Sequence, residues 1–227
     1  MHGTQQLKLL REVNHRLKST LPEAYIEIVS LPGLPSLHLG LINSDFPTGP
    51  LDADTMKAVI RKPAYWAFCW GSGLATASYI LSNPNLVLDR TICDLGTGSG
   101  VVAIAAKKAG AREVWACDID PDALKATELN CHINKVEVSL VDSLDKISKP
   151  VSLMFMADVL YDKNNFALIE VALGRTEELI ISDSRINNLE DSRFKIFNKM
   201  EMLTLPNLGE FDEYKEVTFY SSKKNYL

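Results

Sequence analysis

The 227 residues include 46% hydrophobic and 23% charged side chains and carry a formal net charge of −5, enough apolar material for one sizeable α/β core with a small N-terminal addition. An acidic balance with no basic stripe argues against nucleic-acid binding by phosphate neutralisation. No apolar run approaches the ~18 residues that cross a bilayer, and Met1 to Leu21 lacks the apolar centre of an export signal, so a cytoplasmic protein with no membrane partner is expected. The four cysteines, Cys69, Cys93, Cys117 and Cys131, lack C-x-x-C spacing, which points to neither a metal site nor a disulfide frame.

Residues 4–20 place Leu7, Leu10, Val13 and Leu17 at helical spacing, stopped by Pro22. Tyr25 to Leu31 and Ser36 to Ile42 read as two short strands around Pro32-Gly33-Leu34-Pro35. Asp45 to Pro50 is loop and Asp54 to Ile60 a short helix. No cofactor signature falls here, so residues 1–60 are expected to form an N-terminal extension and residues 61–227 the principal domain. Next come Tyr65, Trp66, Phe68 and Trp70, four aromatics in six residues, before Gly71-Ser72-Gly73 and a helix over Leu74 to Leu81. Tyr65, Trp66 and Phe68 suit either a plug under the sheet or a ligand wall. Trp70, beside the flexible turn, offers a flat indole face to a sulfonium or an adenine.

The organising stretch is Ile92-Cys93-Asp94-Leu95-Gly96-Thr97-Gly98-Ser99-Gly100, followed by the apolar Val101 to Ala109: strand, glycine turn, helix. Such a turn lets a ligand approach the main chain at a helix start. Dinucleotide folds space their glycines G-x-G-x-x-G, whereas here the pattern is acidic-x-G-x-G-x-G. A carboxylate at Asp94 repels a pyrophosphate and suits a cation, so S-adenosylmethionine, with its sulfonium and amino group, fits better than a dinucleotide.

Gly110 closes that helix and Glu113 to Ile119 forms the next strand, ending in Cys117-Asp118-Ile119-Asp120-Pro121. Asp118 lies 20 residues beyond Gly98, the separation at which an acid meets ribose hydroxyls. Asp120 is read as the N-cap of a helix over Pro121 to Asn134. Val136 to Val141 is a third strand, with Asp142 at its end read either as an acceptor for an adenine amino group or as a solvated loop acid. The almost continuously apolar fourth strand, Val151 to Ala157, suits a parallel strand covered on both faces and delivers Asp158-Val159-Leu160-Tyr161-Asp162 to the same edge. Asp158 and Tyr161 are therefore the catalytic candidates. Asn165 to Leu173 is helical, Glu178 to Ser182 a fifth strand ending in Asp183-Ser184-Arg185, and Leu189 to Met200 a helix. Met202 to Leu205 and Glu216 to Tyr220 read as strands joined by a polar loop. The alternation gives a Rossmann-like, seven-stranded, mostly parallel sheet with a C-terminal antiparallel hairpin.

From about Pro63 to Tyr220 the chain resembles the seven-strand S-adenosylmethionine-dependent methyltransferases. It is similar to the branch containing the lysine methyltransferases of the electron transfer flavoprotein β subunit and bacterial nicotinamide N-methyltransferase-like relatives. The resemblance rests on Tyr65 to Trp70, Asp94 to Gly100, Ala103 to Ala106, Cys117 to Pro121 and Ala157 to Asp162; the Asp158-x-x-Tyr161 pattern is similar to a D-x-x-F/Y signature at the substrate lysine. Two motifs depart: Trp-Pro-Gly-Gly reads Trp70-Gly71-Ser72-Gly73, and Gly-Asp-Pro-Gly-Arg reads Ser182-Asp183-Ser184-Arg185.

The resemblance implies methyl transfer to a lysine of a protein substrate, the electron transfer flavoprotein β subunit being one such partner. Asp158 would hold the entering ammonium and Tyr161 would form a wall. Asp94, Gly96, Gly98, Gly100, Asp118 and Asp142 would bind the cofactor, with Trp70 and Gly73 closing over its methionine end. A small-amine N-methyltransferase and a silent cofactor-binding partner protein are the alternatives.

Overall fold

The computed structural model describes residues 2–209 and 214–223. The N-terminal part is the helix α1 (His2–Lys18), the hairpin β1 (Ile26–Leu31) and β2 (Leu34–Ile42), and the helix α2 (Ala53–Arg61). The helix α3 (Gly71–Ser82) leads into the main sheet, whose strands are β3 (Thr91–Leu95), β4 (Glu113–Cys117), β5 (Ser139–Val141), β6 (Leu153–Ala157), β7 (Leu179–Asp183), β8 (Lys195–Glu201) and β9 (Glu216–Ser221). Between them run α4 (Val101–Lys108), α5 (Pro121–Asn134) and α6 (Ala167–Leu173).

The strand order is β5-β4-β3-β6-β7-β9-β8. The first five are parallel, and β9 runs antiparallel to both β7 and β8. The seven-stranded, mostly parallel sheet with a C-terminal antiparallel hairpin expected from the sequence is observed, although the strand that pairs with β9 is β8 and not Met202 to Leu205. β3 and β6 sit at the centre with every residue buried or nearly so, because helices cover both faces. One face packs Ile92, Phe155 and Phe219 against α3 and α4; the other packs Cys93, Met154, Met156 and Ile181 against Ile169 and Ala172 of α6. The chain leaves β3 toward β4 on one side and reaches β6 on the other, so a crevice opens at their C-terminal ends.

A third cluster joins the N-terminal part to this core: Leu9, Val13 and Leu17 of α1, Ile26, Ile42 and Trp66 pack on Ala123, Ala126 and Leu129 of α5. Asp122, in the first turn of α5, accepts from Arg16 and Lys62. Asn130 bridges the hairpin and the glycine turn, its Oδ1 accepting from Gly40 N at 2.7 Å and its Nδ2 donating to Ser99 O at 2.8 Å.

Three sequence readings differ from the structure. The segment read as a helix over Leu189 to Met200 contains the edge strand β8. A bulge between Ile196 and Asn198 interrupts its alternation, so Phe197 and Met200, three apart, are both half-buried against the core and mimic a helical spacing. Met202 to Leu205 contributes only a bridge between Cys69 and Leu205, and residues 210–213 of the polar loop after it lie outside the described residues. The third strand is shorter than read, three residues at the sheet edge.

Candidate functional site

The crevice is a cavity of about 760 Å³, within the range that holds a cofactor-sized molecule. Its floor is the turn between β3 and α4, where Gly96, Gly98 and Gly100 have φ of +77°, +52° and +81°. Gly98 lines the cavity, and a Cβ there would meet nothing nearer than Gly96 O at 3.9 Å. Glycine is required at that point for its left-handed backbone and for the open space toward a ligand. Gly100 has a different reason. A Cβ there would lie 2.7 Å from Thr127 Cγ2 on α5, so Gly100 serves close packing behind the turn.

Asp94, at 2% exposure, lies beneath the turn, outside the cavity lining. Its Oδ2 accepts from Thr97 Oγ1 at 2.7 Å and from Ala103 N at 3.1 Å, tying the turn to the start of α4. Burial pushes its carboxyl up to about 6, against the lowering effect of those bonds. Gly73 is also outside the lining, packed against Val101 where α3 meets α4.

At one end of the cavity, Asp118 follows β4. Its Oδ2 accepts from Gly98 N at 2.9 Å and its Oδ1 from Asp120 N at 3.0 Å, and burial raises its pKa above the usual carboxylate range. Ile119, next to it, lines the same end with 90% of its surface exposed. Asp142, after β5, reaches the rim and pairs with Lys146 at 2.8 Å.

The other end is built by β6 and β7 against the start of α3. Asp158 lines the cavity at 9% exposure and has a left-handed φ of +53°, a conformation that persists in a non-glycine residue only when neighbours hold it. They do so here. Ser72 donates from N at 2.9 Å and from Oγ at 2.6 Å, and Ser184 Oγ at 3.3 Å. The carboxylate thus caps α3, whose own N-cap, Trp70, makes no side-chain capping bond. Burial raises the pKa of Asp158, while the Ser72 bonds and Arg185, 3.9 Å away, lower it.

Three rings wall this end. Tyr65 meets Tyr161 at 5.4 Å and Trp70 at 5.8 Å between centroids, both edge to face, and Trp70 Nε1 donates to Tyr65 O. Burial raises the pKa of the Tyr161 phenol, leaving it neutral near pH 7. Trp66 does both, packing in the N-terminal cluster and lining the cavity, so the aromatic run serves as plug and as wall. Cys117 reaches the cavity, but burial pushes its thiol up to about 12, so it carries no nucleophilic thiolate near neutral pH.

Trp70, Gly96, Gly98, Asp118, Asp142, Asp158 and Tyr161 therefore share one cavity, whereas Gly73, Asp94 and Gly100 shape its walls from behind. Sequence reasoning assigned no role to Ile119, Arg185 or Ser72. An apolar residue between two acids at a strand end was a signal for the first, and the charged run after the fifth strand for the second; nothing marked Ser72 as the partner of Asp158. Among the described residues, five aspartates and one basic residue, Arg185, line the cavity. That donor set suits hydroxyls, an amine and a sulfonium and disfavours a pyrophosphate, so the residues fit S-adenosylmethionine.

A family model described as ribosomal protein L11 methyltransferase (PrmA) matches residues 67–162. The electron transfer flavoprotein beta subunit lysine methyltransferase of Homo sapiens is 38% identical over 103 residues, 44% of this chain and 39% of that protein. Its Xenopus laevis counterpart is 39% identical over 156 residues, 65% of this chain and 61% of that protein. The chain thus spans less than two thirds of the length of these relatives. A crystal structure of ribosomal protein L11 methylase from Lactobacillus delbrueckii subsp. bulgaricus superimposes with a TM-score of 0.51 at 26% identity, covering 66% of this chain and 77% of that one. The resemblance read from the sequence is borne out, and the fold is that of these methyltransferases.

Proposed function

We propose that this chain transfers a methyl group from S-adenosylmethionine to a lysine side chain of a protein. The observation that carries the reading is a single cavity with a glycine turn and Asp118 at one end and an acid among three aromatic rings at the other. S-adenosylmethionine, when bound, supplies an electrophilic methyl group on a sulfonium.

Gly96 and Gly98 let the main chain approach the cofactor. Asp118, whose oxygens keep lone pairs beyond the two backbone bonds, accepts from ribose hydroxyls. Asp142 accepts from the adenine amino group and Ile119 covers the ring. Asp158 orients the acceptor nitrogen while Tyr65, Trp70 and Tyr161 surround its alkyl stem, and alignment of the two reactants is the main contribution to rate. The names of the relatives favour the electron transfer flavoprotein β subunit as acceptor. The cytoplasm is the proposed compartment; among the described residues no helix is long and apolar enough to cross a membrane.

Incubation with tritiated S-adenosylmethionine and purified electron transfer flavoprotein, with ribosomal protein L11 in parallel, tests this reading. Label recovered as methyl-lysine after acid hydrolysis of the β subunit is the expected result. Label in L11 alone would move the acceptor, and label in neither protein but in small amines would replace the protein-lysine reading.

A further inference from the structure

The charged run after β7 has no part in the mechanism above, yet it places the cavity's one described cation beside its acceptor end. Asp183 Oδ1 accepts from Arg185 N at 2.8 Å and Ile186 N at 3.1 Å, folding the chain back at the end of β7. The Arg185 guanidinium then lies 5.7 Å from the centre of the Trp70 ring and 4.9 Å from that of Tyr214. Its Nη1 is 3.9 Å from Asp158 Oδ1, an ion-pair distance rather than a hydrogen bond. Arg185 also forms part of the wall between the main cavity and a second one of about 350 Å³, which it shares with Trp70. Asp183 fixes the backbone and the two rings flank the guanidinium, so a positive charge has a defined place at the acceptor end.

A lysine amine attacks only when unprotonated, and its ordinary pKa is near 10.4. Asp158 alone would make this worse, since a carboxylate beside an ammonium favours the charged form. We propose that Arg185 sets the protonation state of the acceptor: its guanidinium, beside Asp158, weakens the hold of the entering lysine amine on its proton. This rests on the methyl-transfer reading and deepens it. The N–H bond of the ammonium breaks with its electron pair left on nitrogen, and the proton passes to water at the mouth beside Tyr65 and Tyr161. Asp158 remains a carboxylate and orients the neutral amine.

The other titratable groups around this end are Tyr65, whose ring meets Tyr161, Tyr161 itself, which feels Asp118 and Asp162, Cys69 and Asp183, which feel Asp158, and Tyr214 against the guanidinium. Burial pushes Asp183 up to about 6 and the phenol of Tyr161 upward, so near neutral pH Asp183 carries its charge and the phenol does not. A cation held 3.9 Å from the carboxylate that orients the amine should lower the amine's proton equilibrium by about one pH unit.

The test is the pH dependence of kcat at saturating acceptor, with the electron transfer flavoprotein β subunit as acceptor, for the wild type, Arg185→Gln and Arg185→Lys. Arg185→Gln should move the acidic limb of kcat upward by about one pH unit, lowering kcat about tenfold at pH 7 and much less at pH 10; Arg185→Lys should restore the wild-type limb. A parallel loss at every pH would mean a structural role and overturn the proposal, as would an unmoved limb. A second readout needs no turnover. With S-adenosylhomocysteine present, the methyl carbons of a ¹³C-dimethyl-lysine form of the acceptor should titrate about one pH unit lower on the wild type than on Arg185→Gln. Equal values would overturn the proposal. Wild-type protein inactive toward this acceptor at every pH would instead count against the methyl-transfer reading and this inference with it, whereas turnover with an unmoved limb would remove Arg185 alone.

Discussion

Asp158 is asked both to hold the start of α3 and to orient the acceptor, and the two roles can be separated. In Asp158→Asn an amide NH₂ replaces one of the oxygens that accept from Ser72 N and Ser72 Oγ, so at least one charge-assisted bond is lost, of the kind worth about 1.5–3 kcal/mol. Removing a buried charge whose pKa is raised by desolvation offsets part of this, for a net destabilisation of about 2 kcal/mol. Ser72→Ala keeps the backbone N–H and loses only the hydroxyl bond, about 1 kcal/mol. The double variant should fall short of the sum by about 1 kcal/mol, because both changes remove the same bond. Urea denaturation of the four proteins at constant m-value measures this coupling. A coupling below about 0.3 kcal/mol would refute the capping role. Turnover separates the second role: Asp158→Asn should lower kcat about a hundredfold and Ser72→Ala less than about fivefold. Equal losses would mean that Asp158 acts only by holding α3.

Gly100→Ala should destabilise by about 2–4 kcal/mol, combining a left-handed φ with a 2.7 Å approach to Thr127 Cγ2; adding Thr127→Ala should recover part of it, and a neutral single variant would contradict the packing argument. Asp94 and Asp183 have carboxyls raised to about 6, so the folded state binds their protons more tightly than the unfolded chain does. The stability they contribute is fully present below about pH 4 and is lost as pH rises through about 6, by about 3 kcal/mol for each group. Denaturation midpoints at pH 4.5, 6 and 8 should show a shallower decline for Asp94→Asn; an unchanged slope would remove Asp94 as a cause.

The parallel core was legible because β6 is apolar throughout, and the glycine turn because its spacing has few uses. The Asp118 end of the cavity was legible for the same reason, since a fixed separation from Gly98 places the acid. β8 was not legible: its bulge changes a period of two into a spacing of three, which a sequence displays as a helix. The place of Asp94 beneath the turn was not legible, because an acid before a glycine turn reads alike whether it faces a ligand or bonds Thr97 and Ala103. The Ser72–Asp158 contact joins residues 86 apart in the chain, and no local pattern encodes such a pairing. Arg185 is similar, its place beside Trp70 arising from the fold of β7 against α3.

The central claim is that this cavity holds S-adenosylmethionine through the glycine turn and Asp118. Isothermal calorimetry with S-adenosylmethionine, S-adenosylhomocysteine and NAD, on the wild type and on Asp118→Ala, tests it most directly. The account predicts that the first two bind the wild type, NAD does not, and Asp118→Ala loses at least about tenfold in affinity, as befits the removal of a buried hydrogen-bond acceptor. Preference for NAD, or an Asp118→Ala affinity equal to that of the wild type, would contradict it.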